Sequence, residues 1–387
     1  MIDKTIDERF LIRRKLHENP NFTVYKAVDL KTSSKIALKI DNEPSENSLI
    51  IQEREILSKL NHRAAFPRVF VSGATKGLNY IAQSYLGKSL QYYFEQNGKF
   101  SLACVLKIGE ELLLRIESLH KAGFIHRNLK PENIHMGYGT NWQSLFISGY
   151  RTTAKYLEDN DKDHIHIRRT YAFPENVVYS SLNTSNKYLH SRRDDIESLI
   201  YILIHFLSGK LPWLANKNAS SLEIKTIKES ISFGKLCDKC PTEFLAMLRY
   251  TRSLQFDEEP NYEMLRNSLA MLATKNKIVK SYDWSINQEK VNFLYKVKQP
   301  KKKSSDMKKY LTCAAPEIGA FSPKQMNFNR SLAFPSIGNE SDCRSEESTA
   351  ELVRTETAEI KTFPEFSNKA EILRMRQEFL RLRKENP

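Results

Sequence analysis

The sequence predicts an α+β fold in two lobes, a small β-rich N-lobe followed by a large helical C-lobe. Two patterns and a size argument predict it. Residues 9–40 carry short apolar runs with strand-type alternation, Phe10-Leu-Ile, Phe22-Thr-Val-Tyr-Lys-Ala-Val and Lys35-Ile-Ala-Leu-Lys-Ile, separated by polar breaks. The period then changes. Ile50, Glu53, Leu57 and Leu60 recur at helical spacing, and Val105, Ile108, Leu112, Ile116 and Leu119 form one stripe between Ser101 and Ala122. The 387 residues suffice for one large two-lobed domain and an appendage.

Composition bounds the setting. No apolar run reaches transmembrane length. The first residues, Met1-Ile-Asp-Lys-Thr-Ile-Asp-Glu, are charged and lack an h-region, so no secretory signal is expected. Five cysteines, an odd number, read as reduced thiols of the cytoplasm, the nucleus or both. Cys237 and Cys240 have CxxC spacing, but no second pair or histidine cluster accompanies them, so neither zinc nor redox chemistry is expected there. The net charge of +14 calls for an acidic partner, whether phosphoprotein, nucleic acid or anionic membrane.

The stretch that organises the chain is Phe124-Ile-His-Arg-Asn-Leu-Lys-Pro-Glu-Asn-Ile-His-Met-Gly137. It resembles the catalytic loop of eukaryotic protein kinases, H-R-D-x-K-P-x-N, with one change. Where the family has the aspartate that accepts the substrate hydroxyl proton, this chain has Asn128, which has the right shape and no basicity. Lys130 fills the position that steadies the γ-phosphate, and Asn133 the position that holds magnesium. The resemblance implies a two-lobed protein-kinase-like fold.

Taken in order, the remaining motifs follow the same plan. Ile36-Ala-Leu-Lys39 stands where kinases have V-A-I-K, so Lys39 would pair the nucleotide's α and β phosphates, with Glu53 of the next helix as its ion-pair partner. The same two residues could also be a structural ion pair with no ligand. Between the first two strands a kinase has glycines, so that backbone N–H groups can approach phosphate. This chain has His17-Glu-Asn-Pro-Asn-Phe22, in which Pro20 removes a donor and Glu18 would place a negative charge near the triphosphate. Tyr80 to Leu90 resembles the fifth strand and hinge, with Leu86 near the adenine edge and Gln83 at the gatekeeper position. In place of D-F-G stands either Gly149-Tyr150-Arg151 or, one register earlier, a triad starting at Ser148. Neither supplies the carboxylate that magnesium prefers.

Downstream, Ser181-Leu-Asn-Thr184, His190-Ser-Arg-Arg-Asp-Asp-Ile-Glu-Ser-Leu199 and Leu211-Pro-Trp213 resemble motifs of casein kinase I proteins. That resemblance covers about residues 9–290. It implies that Asp195 anchors the catalytic loop from below, that Asn176 replaces a threonine bridging the catalytic aspartate and lysine, and that Val178 replaces a substrate-side arginine. Scaffold positions are kept and chemistry positions are changed.

The expected organisation is a kinase-like domain over residues 1–290, with an N-lobe at about 9–84 and a C-lobe at about 88–290, and then a basic tail over 291–387. Lys296–Lys309 holds seven lysines and one aspartate, readable as a solvated linker or as a patch for nucleic acid or an anionic surface. Residues 311–367 have a disorder-type composition. Asn368 and Glu371 resemble a capping box opening a helix to about Lys384, with Ile372, Met375, Phe379 and Leu382 on one stripe.

The resulting expectation is a casein kinase I-like pseudokinase that scaffolds or regulates protein partners, among them active kinases or their substrates. It would bind ATP weakly and magnesium hardly at all. Two alternatives stay open: a weakly active Ser/Thr kinase for acidic or primed substrates, and a nucleic-acid-associated binding protein using the lysine-rich tail.

Overall fold

Alternation builds the N-lobe. In the computed structural model, β1 (Thr5–Ile6), β2 (Phe10–Glu18), β3 (Phe22–Asp29), β4 (Ser34–Asp41), β5 (Val69–Thr75) and β6 (Leu78–Ser84) form one antiparallel sheet in the order β1-β2-β3-β4-β6-β5. The structure describes residues 1–285 apart from 45–47, 61–62, 64, 159–162, 171–173 and 217. All of them belong to one unit of the chain, Met1–Lys296.

Residues with one parity on these strands, Phe10, Ile12, Ala27, Leu38, Tyr80 and Ala82 among them, bury a small core on one face. The opposite parity faces α1 (Leu49–Leu60), whose Ile50, Ile56 and Leu57 pack with Phe22 and Ile81. The register then fixes a row on that face, because Val24 is paired with Lys39 and Lys39 with Ile81.

The C-lobe is helical: α2 (Leu90–Asn97), α3 (Leu102–His120), α4 (Leu182–Ser185), α5 (Arg192–Ser208), α6 (Ser221–Ser230), α7 (Phe233–Leu236), α8 (Thr242–Ser253) and α9 (Tyr262–Lys275). Ser101 caps α3, its hydroxyl accepting the Cys104 N–H at 3.2 Å, and the expected apolar stripe is fully buried. α5 is buried on all sides from Asp194 to Phe206 and runs through the core. Gly109 lets α3 approach it, since a Cβ there would lie 3.0 Å from Leu203 and 2.8 Å from Leu269. Two small antiparallel pairs, β7 (Phe124–Ile125) with β10 (Ala154–Lys155) and β8 (Ile134–Met136) with β9 (Leu145–Ile147), hold the loops at the base of the cleft.

The helix expected over Leu49–Leu60 and the helix after Ser101 are present. Two strands go beyond the sequence reading. β1 is two residues long, and β5 is a largely exposed edge strand that gives a weak alternation signal. The basic run Lys296–Lys309 and the helix expected over 368–384 lie outside the described residues.

Candidate active-site cleft

One buried carboxylate organises the loop Phe124–Gly137. Asp195, in the first turn of α5, accepts the N–H groups of His126 (2.7 Å) and Arg127 (2.9 Å). It also meets Nε2 of His120 (2.9 Å) and of His190 (3.0 Å). Burial pushes this carboxyl up, but the two imidazoles more than reverse that, holding it well below the usual carboxylate range. Its grip fixes Arg127 in a left-handed conformation, φ +68°, which a non-glycine residue rarely adopts unaided. The loop is therefore built to one shape.

Two of the groups that should do chemistry on this loop, Asn128 and Asn133, are inert or otherwise engaged. Asn128 offers a neutral amide, and its Oδ1 is buried with no partner among the described residues. Its backbone carbonyl accepts Nδ2 of Asn133 at 2.9 Å. Asn176 donates from Nδ2 to the Leu129 carbonyl (2.8 Å) and accepts the Tyr179 N–H (3.2 Å), so it ties backbone to backbone. Lys130 is half-buried, and its ammonium makes no hydrogen bond or ion pair among the described residues, although its carbonyl accepts the Asn133 N–H at 2.9 Å.

Packing chooses between the two registers after β9. Tyr150 is the buried aromatic, 1% exposed, with its ring 5.5 Å from that of His126 and its hydroxyl donating to the Ile147 carbonyl at 2.8 Å. Gly149 thus stands where the metal-binding aspartate would be. It has φ +84°, and a Cβ on it would lie 2.7 Å from Cγ of Asn133. Arg151, two residues on, is ion-paired with Glu175. Among the described residues no group of three His, Cys, Asp or Glu side chains is placed to hold a metal ion. Magnesium, which wants charged oxygens, does not fit this donor set.

In the roof of the cleft, Lys39 and the turn before Phe22 are tied to their own neighbours. Lys39 and Glu53 are brought together as a buried ion pair. The ring of Phe22 lies against the same ammonium, its centroid 3.6 Å from Nζ. Register explains the contact: Phe22 and Val24 share a face of β3, and Val24 is paired with Lys39. The turn before Phe22 consumes its own donors. Oδ1 of Asn19 accepts the N–H groups of Asn21 (2.9 Å) and Phe22 (3.0 Å), and the Asn19 N–H donates to the Phe22 carbonyl at 3.1 Å. Nδ2 of Asn42 fastens the turn from below, donating to the Asn19 carbonyl at 2.6 Å.

One expectation about this loop is overturned. Glu18 does not face the phosphate region as a free charge, because Lys15 holds it on the exposed surface at 2.6 Å. The adenine side is different. Leu86 is half-buried, and its backbone groups make no hydrogen bond among the described residues. Gln83, on the same sheet face as Lys39, keeps a buried Oε1 without a partner among the described residues.

Away from the cleft, the thiols of Cys237 and Cys240 are free, and burial pushes them up to about 12 and about 11, far from reactive. Sequence reasoning missed three residues that shape the site. Phe22 reads as an ordinary strand residue, although an aromatic in place of a loop glycine was the available signal. Asn19 is a recognisable turn former. Lys228 carries no local signal, yet it is fully buried and donates to the carbonyls of Val177 and Ser180, both at 2.7 Å. Burial brings its ammonium down to about 7.

A family model described as the protein kinase domain matches residues 21–276.

Proposed function

The chain belongs to the protein kinase domain family, and from that premise we propose that it is a casein kinase I-like pseudokinase, a scaffold or regulator for protein partners that include active kinases or their substrates. Kinase domains in general bind ATP with magnesium. The observation that carries the proposal is the Phe22 ring against Lys39, on a loop whose N–H groups are already used internally. A lysine that is ion-paired on one side and covered by an aromatic ring on the other is not free to receive phosphate. Asn128 and Gly149 remove the base and the metal ligand from the same reaction, and phosphoryl transfer depends on positioning and charge neutralisation more than on any one group. The scaffold is intact beneath them, with the loop held by Asp195 and the core of α3, α5 and α9 closely packed. A protein-binding role needs only that much.

A weakly active Ser/Thr kinase is the second reading. The intact Lys39–Glu53 pair and the uncommitted Lys130 favour it. Phosphate transfer to casein, compared with a Lys39→Met control, separates the two. The pseudokinase reading expects no difference between them. Turnover near about 1–100 s⁻¹, the ordinary kinase range, would overturn it.

A further inference from the structure

We propose that the hinge edge of the cleft is a binding surface for single-stranded nucleic acid. The proposal uses none of the cleft chemistry and stands apart from the pseudokinase reading.

The segment joining the lobes, residues 85–88, lies within a band of cations and tyrosines. On the N-lobe side, the pairing of β2 with β3 sets Arg14 directly opposite Lys26. Like charges in that relation are destabilising, and an anion lying across them relieves the repulsion. Lys26 Nζ lies 5.7 Å from the ring centroid of Tyr85, and Tyr85 meets Tyr138 edge-on with centroids 5.0 Å apart. Lys35 reaches across from β4 to donate to the Tyr138 hydroxyl at 2.6 Å.

The band continues into the C-lobe. Gly87 N–H donates to the Met136 carbonyl at 2.7 Å and Met136 N–H to the Lys88 carbonyl at 3.0 Å, so the hinge runs beside the strand that leads to Tyr138. Lys88 Nζ then sits 4.2 Å from the ring centroid of Tyr92. Among the described residues none of these four cations has an ion-pair partner. Residues 84–94 and 133–157 contain no Asp or Glu; Asp29, in the β3–β4 hairpin, is paired with Arg9, and Glu95, one turn beyond Tyr92, accepts from Gln91 at 2.9 Å. Glu18, which borders the edge, is held by Lys15.

Uncompensated cations fit any polyanion, and the net charge of +14 agrees. The aromatic rings narrow the choice. Tyr92 and Tyr138 are 40% and 44% exposed beside the cations. Exposed tyrosines interleaved with lysines suit unpaired bases, which stack on aromatic faces while their phosphates meet the charges. An acidic peptide would use the cations and leave the rings without a role. A duplex would keep its bases out of reach of the tyrosines.

The test is fluorescence anisotropy of a labelled 16-mer oligouridylate with the full-length chain across a salt series, run beside a duplex of equal length and a polyglutamate peptide. Single strand is expected to bind tightest. The Lys26→Gln, Lys35→Gln, Lys88→Gln triple variant should lower the slope of log K against log salt by about two, at about 0.7 per phosphate contact. The Tyr92→Ala, Tyr138→Ala variant should weaken binding by about tenfold with the slope unchanged. Tyr92→Phe with Tyr138→Phe should bind like the parent chain, which separates stacking from misfolding. A Lys301→Gln, Lys302→Gln, Lys303→Gln variant controls for the basic run in the C-terminal tail. The proposal is overturned by any of three results: band variants that bind like the parent while the tail variant loses binding, duplex or polyglutamate binding as tightly as single strand, or no binding at low salt.

Discussion

The Phe22 ring centroid lies 3.6 Å from Nζ of Lys39, which is at the same time ion-paired with Glu53. A cation over an aromatic face is attracted to it, and more strongly when both are desolvated. Phe22 is therefore a second, uncharged partner for the lysine. Phe22→Ala should lower stability by about 3–5 kcal/mol, the usual cost of emptying a buried aromatic site. It should also give a stabilising response to ATP that the parent chain lacks, measured by thermal melting against the variant's own ligand-free midpoint. A variant as indifferent to ATP as the parent would show that Phe22 is not what closes the site.

The ion pair itself is testable. Glu53→Gln leaves a buried ammonium without its counter-charge, and such changes cost about 3–5 kcal/mol. Replacing both residues together, Lys39→Met with Glu53→Leu, should cost much less. Urea unfolding of the three chains checks this. A single variant within about 1 kcal/mol of the parent, as for exposed pairs, would contradict the burial of the pair.

Repair of single chemistry positions should fail. Asn128→Asp restores a base but leaves no metal ligand. Gly149→Asp must place a Cβ 2.7 Å from Asn133 Cγ at φ +84°, where a side chain is both crowded and strained. It should fold less stably and still show no magnesium dependence. Radiolabel transfer by each variant and by the combination with a glycine loop checks the point. Robust transfer by Asn128→Asp alone would mean that phosphate and magnesium are already held by other residues.

The frame of the cleft was legible in the sequence, while the contacts in its roof were not. The stripe of α3 and the helix bearing Glu53 are local patterns that depend on spacing within one element, whereas the anchoring role of Asp195 was implied by the resemblance of its motif. Phe22 against Lys39 depends on a strand register across two elements. Gly149 could not be separated from Ser148 until Tyr150 was seen buried against His126. Glu18 was misjudged for a related reason. It is a charge whose partner, Lys15, is fixed by the fold, so its sequence position alone says nothing of its neutralisation.

Lys228 predicts a pH dependence. Its folded-state value is brought down to about 7 from an ordinary 10.5, chiefly by burial. Between these values the unfolded chain binds more protons than the folded one, so this group makes stability rise with pH from about 7 upward, by at most about 1.4 kcal/mol per pH unit. Lys228→Met should remove that rise. It should also destabilise the segment 177–180, because two buried carbonyls lose their donor. Comparing unfolding free energies of the parent and the variant at pH 7 and pH 9 isolates the term. Equal slopes would show that Lys228 does not titrate in this range.

The most direct test of the central claim, that this cleft does not hold magnesium with ATP, is the thermal midpoint of the full chain with ATP, with and without magnesium. A ligand at a hundred times its Kd contributes about 2.7 kcal/mol, a rise of roughly 5 °C. With Phe22 on Lys39 and no carboxylate at position 149, the midpoint should move little with ATP and not at all further on adding magnesium. A rise of several degrees that requires magnesium would contradict the account.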